Sequence, residues 1–525
     1  MRRLLLASLL LASLDAQITT SQYDNARTGA NIHETVLNPR NVQVNRFGML
    51  LRLAVDGDIY AQPLYLPNLA ISGKGTHNVV FVATEHDSVY AFDAAGQPKE
   101  PLWKVNFTDP ARQITTIPFE NVNCPFLNPE VGITSTPVID AQTGTLYVLV
   151  RTKETGRFWQ RLHAVDVRTG KEKFGGPVTI RASVESRNKS LFGLGPAETL
   201  EFLALHENPR AALLLDRGVV YLTWGSACDV GPYYGWVLAY DAHTLRQTGA
   251  LNTAPEVALG GIWQGDTGPA ADEEGNVYAI TGNGVFNAAS GGRDFGDSVL
   301  KLGFTNAGLA VKDYFTPFDQ EDRNRTDRDL GSGGPLLVPA QPGSTARLLI
   351  AAGKGGELFV LNRERMGRFR IGGNRHAMQT VPLAGSVFGA PAYWEGHIYV
   401  CALDDVLRDF VIEGNRLAPA TQGEMRFLPP GAIPAISANG SKDGIVWLIE
   451  TSQGHAANVP AVLHAYDARN VALELYSSAQ NSARDHAGAA LHFTIPAVAD
   501  GRVYVPASRE LDVYGLLGAK PDLRQ

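Results

Sequence analysis

Short apolar strands separated by glycine turns recur along the whole chain. A glycine followed by β-branched and aromatic residues occurs six times, at 144–148, 218–222, 275–279, 396–400, 444–448 and 501–505. Two looser copies lie at 78–82 and 347–351. Short runs of this composition, bounded by turn residues, are typical of β-strands. Eight copies of one strand pattern predict a repeat protein.

Further strands flank each copy of the pattern. Upstream of all copies but the third, a proline opens another short strand, and these prolines are Pro63, Pro137, Pro269, Pro335, Pro391, Pro434 and Pro496. Downstream, a third strand ends in an acidic turn residue at Asp93, Asp166, Asp241 and Asp467. The unit therefore has three or four strands. Such units, spaced by roughly 50 to 75 residues, are typical of β-propeller blades.

The two ends of the repeat array complement each other. A strand at 49–55 precedes the first repeat, whereas the last copy ends at 511–515 without an outermost strand. The sequence therefore predicts an all-β, eight-bladed β-propeller of four-stranded antiparallel blades, in which the N-terminal strand joins the last blade. Such closure leaves no sheet edge open at the two ends. Seven blades and two β-sandwiches are the alternatives, but sandwiches do not produce eight copies in phase.

The first residues differ from the rest of the chain. Arg2 and Arg3 precede an apolar run at 4–14, a pattern typical of a secretory signal, and this run is too short to cross a bilayer. We therefore expect a protein exported to the periplasm or the extracellular space, with no membrane span. The expected segments are a signal peptide at 1–16, an N-terminal extension at 17–46, one propeller at 47–517 and a tail at 518–525.

Composition excludes several classes of function. The chain has 46 Lys+Arg against 53 Asp+Glu, a net charge of −7, so it presents no electrostatic footprint for nucleic acid. Its 54 glycines follow no strict period and indicate many tight turns. Three cysteines cannot form a disulfide framework, and because no C-x-x-C-H motif is present, we expect no covalent haem.

One motif in the third strand of the repeat is more specific. Residues 164–174 (AVDVRTGKEKF), 239–249 (AYDAHTLRQTG) and 91–96 (AFDAAG) followed by Trp103 resemble the Ala-x-Asp-x-x-Thr-Gly-x-x-x-Trp docking repeat of pyrroloquinoline-quinone (PQQ) propellers. Phe174 stands where that family has tryptophan. In such a turn the aspartate and threonine bond to the backbone, the glycine takes a positive φ, and the aromatic ring packs on the next blade. The resemblance covers nearly the whole chain, in a superfamily that includes quinoprotein alcohol dehydrogenases and cofactor-free scaffolds.

Two stretches resemble the part of those dehydrogenases that binds calcium beside PQQ on the propeller axis. Residues 228–241 (CDVGPYYGWVLAYD) place the carboxylate ligand on Asp229, where the family has glutamate, and residues 260–284 place an amide ligand on Asn283. Calcium takes six to eight oxygen ligands. The resemblance therefore implies a metal site formed by Asp229 and Asn283, completed by waters or by Asp329.

The catalytic groups follow from the same resemblance. Residues 326–338 are similar to the segment that carries the catalytic aspartate, here Asp329, and residues 351–364 to the turn that offers a cation to the quinone, here Lys354. Asp329 would remove the alcohol proton and Lys354 would stabilise negative charge on the quinone oxygen. Trp263 would form the flat floor on which the cofactor stacks.

Each of these residues also fits an ordinary structural role. Asp229 is compatible with a solvated turn, Asn283 with a left-handed turn between two glycines, and Trp263 with packing between blades. Lys354 is compatible with an exposed loop, and Asp329 lies in a run of charged residues typical of a solvated face. The functional interpretation rests on four matches that occur in the family's order.

The cysteines and the function remain open at this point. The dehydrogenases of this family commonly join two adjacent cysteines in a small ring, which this chain cannot form. Cys124 and Cys228 either bridge two blades near the axis or stay as two buried thiols. The protein is then either a PQQ- and calcium-dependent alcohol or sugar dehydrogenase with a separate electron acceptor, or a cofactor-free scaffold that binds a protein or glycan in the cell envelope. A calcium site requires Asp229, Asn283 and Asp329 to converge within about 5 Å of one point.

Overall fold

The computed structural model describes residues 16–186, 199–452 and 458–518. Residues 1–15 of the expected signal peptide and residues 519–525 of the expected tail lie outside these ranges. The described strands form eight antiparallel blades around one axis, so the predicted eight-bladed propeller is confirmed. The alternatives of seven blades and of two sandwiches are excluded.

Each blade has four principal strands, which run outward from the axis in chain order except in the last blade. The strands of blades 1 to 4 are Leu64–Ile71, Gly75–Thr84, Ser88–Asp93 and Trp103–Asn106; Val138–Asp140, Thr145–Glu154, Arg157–Asp166 and Val178–Thr179; Leu214–Asp216, Val219–Ser226, Trp236–Asp241 and Gln247–Asn252; and Ala270–Ala271, Val277–Ile280, Val299–Thr305 and Gly308–Phe315. Those of blades 5 to 8 are Leu336–Leu337, Leu348–Ala352, Glu357–Asn362 and Gln379–Pro382; Ala392–Trp394, His397–Cys401, Asp405–Glu413 and Arg416–Phe427; Ala435–Asn439, Lys442–Glu450, Val462–Asp467 and Asn470–Ser477; and Ala497–Ala499, Arg502–Ala507, Glu510–Leu516 and Phe47–Ala54.

Shorter elements lie in the connections between these strands. The minor strands are Ala30–Asn31, Ile114–Thr115, Ile117–Pro118, Glu130–Val131, Ser183–Glu185, Thr199–Glu201 and Glu207–Asn208. The α-helices are Phe119–Val122, Gln320–Thr326 and Ser482–Asp485, and the 3₁₀ helices are Pro110–Arg112, Pro125–Leu127, Gln264–Asp266, Ala288–Ser290 and Ser478–Asn481. Within the described ranges, no helix has the length and apolar character needed to cross a membrane.

The N-terminal strand closes the ring as predicted. Phe47–Ala54 pairs antiparallel with Glu510–Leu516 and forms the outermost strand of blade 8. The first and last parts of the propeller therefore share one sheet. This pairing leaves neither end of the repeat array with an unfilled place in its blade.

The hydrophobic core lies between neighbouring blades. Between blades 2 and 3, for example, Tyr147, Leu149, Val220, Trp224 and Trp236 form one buried cluster. The other interfaces have similar clusters, so the central strands are covered on both faces. Strands covered in this way read as continuous apolar runs rather than alternating ones, which explains the repeat pattern in the sequence.

The predicted docking turn also forms. Asp166 Oδ1 accepts hydrogen bonds from Arg168 N (2.9 Å) and Thr169 Oγ1 (3.1 Å), and Gly170 has a φ of +70°. Trp103 Nε1 of blade 1 donates to Val167 O of blade 2 at 2.9 Å. A Cβ on Gly170 would lie 2.8 Å from the Trp103 ring, so this position needs glycine both for its φ and for the close approach.

The N-terminal extension makes one hydrogen bond or more to the innermost strand of every blade. Residues 18–31, here called the axial plug, bond through Ile18, Thr19, Tyr23, Asn25, Ala26, Thr28 and Gly29. Their partners are the second residues of the eight innermost strands: Tyr65, Ile139, Leu215, Ala271, Leu337, Tyr393, Ile436 and Val498. One non-repeating segment therefore joins all eight blades at a single level of the axis.

Arg27 is the central side chain of the axial plug. It is fully buried, and its guanidinium donates to Leu213 O (3.2 Å) of blade 3 and Pro269 O (2.9 Å) next to blade 4. It also donates to Thr20 Oγ1 (2.7 Å) and Ser21 O (2.6 Å) within the plug. Burial lowers the pKa of Arg27 to about 10, with nearby Asp24 opposing the shift. The group therefore stays charged at neutral pH.

A buried acid in blade 8 makes the stability of the fold depend on pH. Asp512 is fully buried; its Oδ2 accepts from Gly488 N (2.7 Å) and its Oδ1 lies 3.3 Å from Arg52 Nε. Burial raises the pKa of Asp512 to about 7, and Glu510 adds to the shift against the opposing effects of Gly488 and Arg52. The folded protein therefore holds a proton here at pH values where the unfolded chain, with an aspartate pKa of about 3.9, has lost it.

We expect Asp512→Asn to flatten the pH dependence of the free energy of unfolding between about pH 5 and pH 7. In the parent protein this group makes that free energy fall as pH rises, by up to about 1.4 kcal/mol per pH unit, and asparagine cannot titrate. Urea unfolding across this range measures the effect. The exposed Glu413→Gln serves as the control and should follow the parent curve. Parallel curves for Asp512→Asn and the parent would contradict the prediction.

Candidate functional site

All five residues selected from the sequence line one cavity. The cavity has a volume of about 440 Å³ and is bordered by Asp229, Trp263, Asn283, Asp329 and Lys354 together with residues of other blades. Its volume falls in the range of small-molecule sites. These five residues thus meet in space although they come from blades 3, 4 and 5 and their connecting loops.

The cavity lies on the propeller axis, at a different level from the axial plug. Five of its lining residues, Tyr60, Arg210, Ser332, Phe388 and Phe493, each stand four positions before the first residue of an innermost strand. Since these strands line the axis side by side, an equal offset along the chain places the five residues at one level of the axis. The plug bonds to the same strands five residues farther along, so it closes the axis on that side of the cavity.

Lys354 joins two aspartates at the polar side of the cavity. Its Nζ lies 2.7 Å from Asp329 Oδ1 and 2.8 Å from Asp327 Oδ1, and Asn283 Nδ2 donates to the same Asp327 oxygen at 2.8 Å. Asp329 is buried and Asp327 is exposed. Burial raises the pKa of Asp329 against the opposing effect of Lys354. Burial alone would lower the pKa of Lys354, but the two carboxylates outweigh it and raise this pKa.

A disulfide lines the same cavity. Cys124 and Cys228 are bonded, with their Cα atoms 5.4 Å apart, so the alternative of two buried thiols is excluded. Both residues line the cavity, and Asp229 follows Cys228 directly. The Asp229 carboxylate is exposed and accepts a hydrogen bond from Tyr233 Oη at 2.8 Å. The disulfide thereby ties the loop that carries Asp229 to the loop before blade 2.

Trp263 offers a flat surface to the cavity. Cβ atoms built on Gly225, Gly261 and Gly282 would lie 3.0–3.1 Å from its indole, so the ring rests against backbone that has no side chains. Tyr233 contacts it edge-on, with ring centroids 6.0 Å apart. The half-buried ring lines the cavity. An aromatic ring supported in this way can stack on a planar ligand.

Several polar atoms at the cavity lack a protein partner. Asn283 Oδ1, Ser226 Oγ and Asn208 Nδ2 are buried, and no described residue forms a hydrogen bond with them. Buried polar groups nearly always have a partner, so these atoms indicate that the cavity binds a ligand or ordered water. Ser226 Oγ can both donate and accept a hydrogen bond, whereas Asn208 Nδ2 only donates and Asn283 Oδ1 only accepts.

An ion pair borders the same space. Arg210 Nε lies 3.1 Å from Asp266 Oδ1, and the guanidinium carbon lies 4.5 Å from the centroid of the Phe493 ring. Burial raises the pKa of Asp266 to about 7 despite the opposing effect of Arg210. The guanidinium thus places a positive charge at a cavity that Asp229 and Asp329 also line.

The three predicted metal ligands share the cavity without forming a preassembled acidic cluster. Among the residues described, no group of three or more His, Cys, Asp or Glu side chains is placed to hold a metal ion. Asp229 is bonded to Tyr233, and Asp329 to Lys354. Asn283 Oδ1 is buried and forms no hydrogen bond with a described residue. Two carboxylates and an amide oxygen are nevertheless the donor types that calcium takes.

Sequence reasoning missed part of the site. The missed residues include Asp327, Asn208, Ser226, Arg210, Phe388 and Phe493. A signal for some of them was present, because Tyr60, Ser332, Phe388 and Phe493 each stand three residues before a proline that opens an innermost strand. The strand of blade 3 lacks that proline, which hides Arg210 from the same reasoning.

Comparisons with known proteins support the fold. No protein-family model matches the sequence, and no curated protein matches it. Quinohaemoprotein alcohol dehydrogenase ADHIIG of Pseudomonas putida HK5 is a similar solved structure, with a TM-score of 0.64 and 14% identity over 96% of this chain and 81% of that chain. The quinohaemoprotein alcohol dehydrogenase of Comamonas testosteroni has a TM-score of 0.61 and 15% identity over 97% and 82%.

A protein of another kind has the same fold. BamB from Moraxella catarrhalis matches with a TM-score of 0.51 and 13% identity, over 89% of this chain and 99% of that chain. At these identities the likeness shows the propeller fold alone. The comparisons are therefore consistent with both functions that the sequence leaves open.

Proposed function

We propose that the protein is an exported PQQ- and calcium-dependent dehydrogenase that oxidises an alcohol or sugar and passes the electrons to a separate acceptor. The observation that carries the proposal is the axial cavity. Asp229, Trp263, Asn283, Asp329 and Lys354 were selected by resemblance to separate family stretches, and all of them line it. Independent surface residues would have no reason to meet on one axis.

The other groups of the cavity fit the same cofactor. PQQ is a planar quinone with several carboxylates, so it requires a stacking surface, hydrogen-bond donors and positive charge. Trp263 provides the surface, while Arg210, Ser226 and Asn208 provide the charge and donors. Asp329 and the unpartnered Asn283 Oδ1 provide oxygens for calcium. When bound, PQQ supplies the two-electron oxidant that the chain itself lacks.

The chain's own residues would then handle the proton and the charge. Asp329, with a pKa raised by burial, would accept the hydroxyl proton as the alcohol loses a hydride from its carbon and becomes a carbonyl compound. Lys354 would donate hydrogen bonds to the oxygen on which negative charge develops. The axial plug closes one end of the axis, which limits access of water from that side.

The cofactor-free scaffold is the alternative. BamB has the same fold, and binding of a partner at the loops would not require unpartnered polar atoms on the axis. The buried Asn283, Ser226 and Asn208 atoms would be used by a ligand of the dehydrogenase, whereas the scaffold gives them no role.

Titration with PQQ tests the proposal. We expect saturable, calcium-dependent binding of PQQ to the purified protein, followed by tryptophan fluorescence because Trp263 lines the cavity. Asp229→Ala should weaken the calcium dependence, since it removes one expected ligand. The exposed Glu424→Ala on the outer strand of blade 6 is the matched control and should bind normally. Absence of saturable binding at near-millimolar PQQ with calcium would overturn the dehydrogenase and favour the scaffold.

A further inference from the structure

The cavity has two chemically different sides. The charged and polar residues come from blades 3, 4 and 5, whereas the side formed by blades 6 and 8 and by the loops around blade 1 is aromatic. The aromatic side comprises Phe126, Phe388, His492 and Phe493, and is called the aromatic wall below. The proposed function uses the polar side and leaves the aromatic wall without a role.

The rings of the aromatic wall form a continuous surface. The ring centroids of Phe388 and Phe493 are 5.6 Å apart, those of Phe493 and His492 are 5.9 Å apart, and those of His492 and Phe126 are 6.0 Å apart. The first contact joins blades 6 and 8 across blade 7, whose equivalent position, four residues before its innermost strand, is Gly431. Blade 7 therefore contributes no side chain at this position.

Phe126 is fixed in position although its side chain is uncovered. The residue is 60% exposed and lies in the 3₁₀ helix Pro125–Leu127, between the disulfide-bonded Cys124 and the buried Leu127. Tyr60 Oη donates to Phe126 O at 2.8 Å. An exposed phenyl ring on a braced loop at a cavity mouth is typical of a ligand contact, because burying it against a ligand costs little conformational entropy.

We infer that the aromatic wall binds the body of the substrate, and that the substrate is a primary arylalkyl alcohol such as benzyl alcohol. This inference rests on the proposed function and names its substrate class. Offset or edge-on contacts between a substrate ring and these four rings are favourable. A sugar would place hydroxyl groups against the phenyl rings of Phe126, Phe388 and Phe493, which offer them no conventional hydrogen-bond partner, and this is costly.

Binding of benzyl alcohol tests the aromatic wall without requiring activity. In saturation-transfer NMR with the cofactor-free protein and with the PQQ- and calcium-loaded protein, we expect benzyl alcohol to bind saturably and glucose not to bind. Phe126→Ala should weaken this binding about three- to tenfold. Phe388→Leu, which keeps an apolar side chain, should also weaken it. Phe304→Ala removes a ring that is 41% exposed on a strand of blade 4 and does not line the cavity, so it should leave binding unchanged.

Steady-state rates with the loaded protein then separate the two proposals. We expect kcat/KM for benzyl alcohol to exceed that for ethanol by about tenfold or more, and Phe126→Ala to lower only the benzyl alcohol value. Benzyl alcohol binding without PQQ binding or turnover would retain the aromatic site and overturn the dehydrogenase. Oxidation of ethanol or glucose at an equal or higher kcat/KM, unaffected by Phe126→Ala, would retain the dehydrogenase and overturn the aromatic substrate. No saturable binding of benzyl alcohol in either form would also overturn it.

Discussion

Replacing Arg27 by alanine is expected to lower the free energy of unfolding by at least about 4 kcal/mol, a large part of the stability of a typical folded protein. The guanidinium bonds to Leu213 O, Pro269 O, Ser21 O and Thr20 Oγ1. Its removal leaves three buried carbonyl groups without this donor, each at a cost of about 1–3 kcal/mol. Urea or thermal unfolding followed by near-ultraviolet circular dichroism measures the change.

Two further variants keep this prediction falsifiable. Arg27→Lys retains the charge but loses the planar fork of donors, so we expect an intermediate loss of stability in a protein that still folds. Arg40 belongs to the same extension, but its side chain is 85% exposed, and Arg40→Ala should change the free energy of unfolding by less than about 0.5 kcal/mol. If Arg27→Ala were no less stable than Arg40→Ala, the plug would not hold the blades together.

Asp329→Asn is expected to lower kcat by about 10²- to 10⁴-fold while PQQ binding remains. The substitution keeps the size of the side chain and its position beside Lys354, but it removes the carboxylate that accepts the alcohol proton. Comparison of PQQ affinity by fluorescence with turnover by an artificial electron acceptor separates binding from chemistry. Parent and variant are loaded with PQQ and calcium in the same way.

Asp327 provides the matched comparison because it contacts the same lysine. Its side chain is 67% exposed, so its carboxylate is solvated, whereas Asp329 is buried and its pKa is raised. We expect Asp327→Asn to reduce kcat less than about tenfold. If Asp327→Asn abolished turnover and Asp329→Asn did not, the assignment of the base would be reversed.

The architecture could be predicted because every repeat carries the local sequence signals of its own blade. Each blade contains its own turns and strands, and motifs such as the Asp166–Gly170 turn bond within five residues. The contact from Trp103 to the next blade spans only 64 residues. The closing strand was also predictable, since one end of the array has a surplus strand and the other lacks one.

The site could be predicted only where the sequence resembles a known arrangement. Trp263, Asn283 and Lys354 were selected in this way, and the structure brings them to one cavity. Arg210 carries no local pattern, because what places it is the level at which its strand lines the axis, and Phe388 is marked only by its spacing to Pro391. The Cys124–Cys228 bond joins residues 104 positions apart, and spacing alone could not choose between a disulfide and two thiols.

The axial plug has a consequence for the order in which the chain can fold during synthesis. Its residues 18–31 leave the ribosome before all the blade strands, yet their partners extend to Val498 in the last blade. Contacts of such sequence separation form slowly. The plug therefore cannot complete its hydrogen bonds to the blades until nearly the whole polypeptide has been synthesised. Translation arrested before blade 8 would thus yield a chain in which the plug has been synthesised but lacks its hydrogen bond to the last blade.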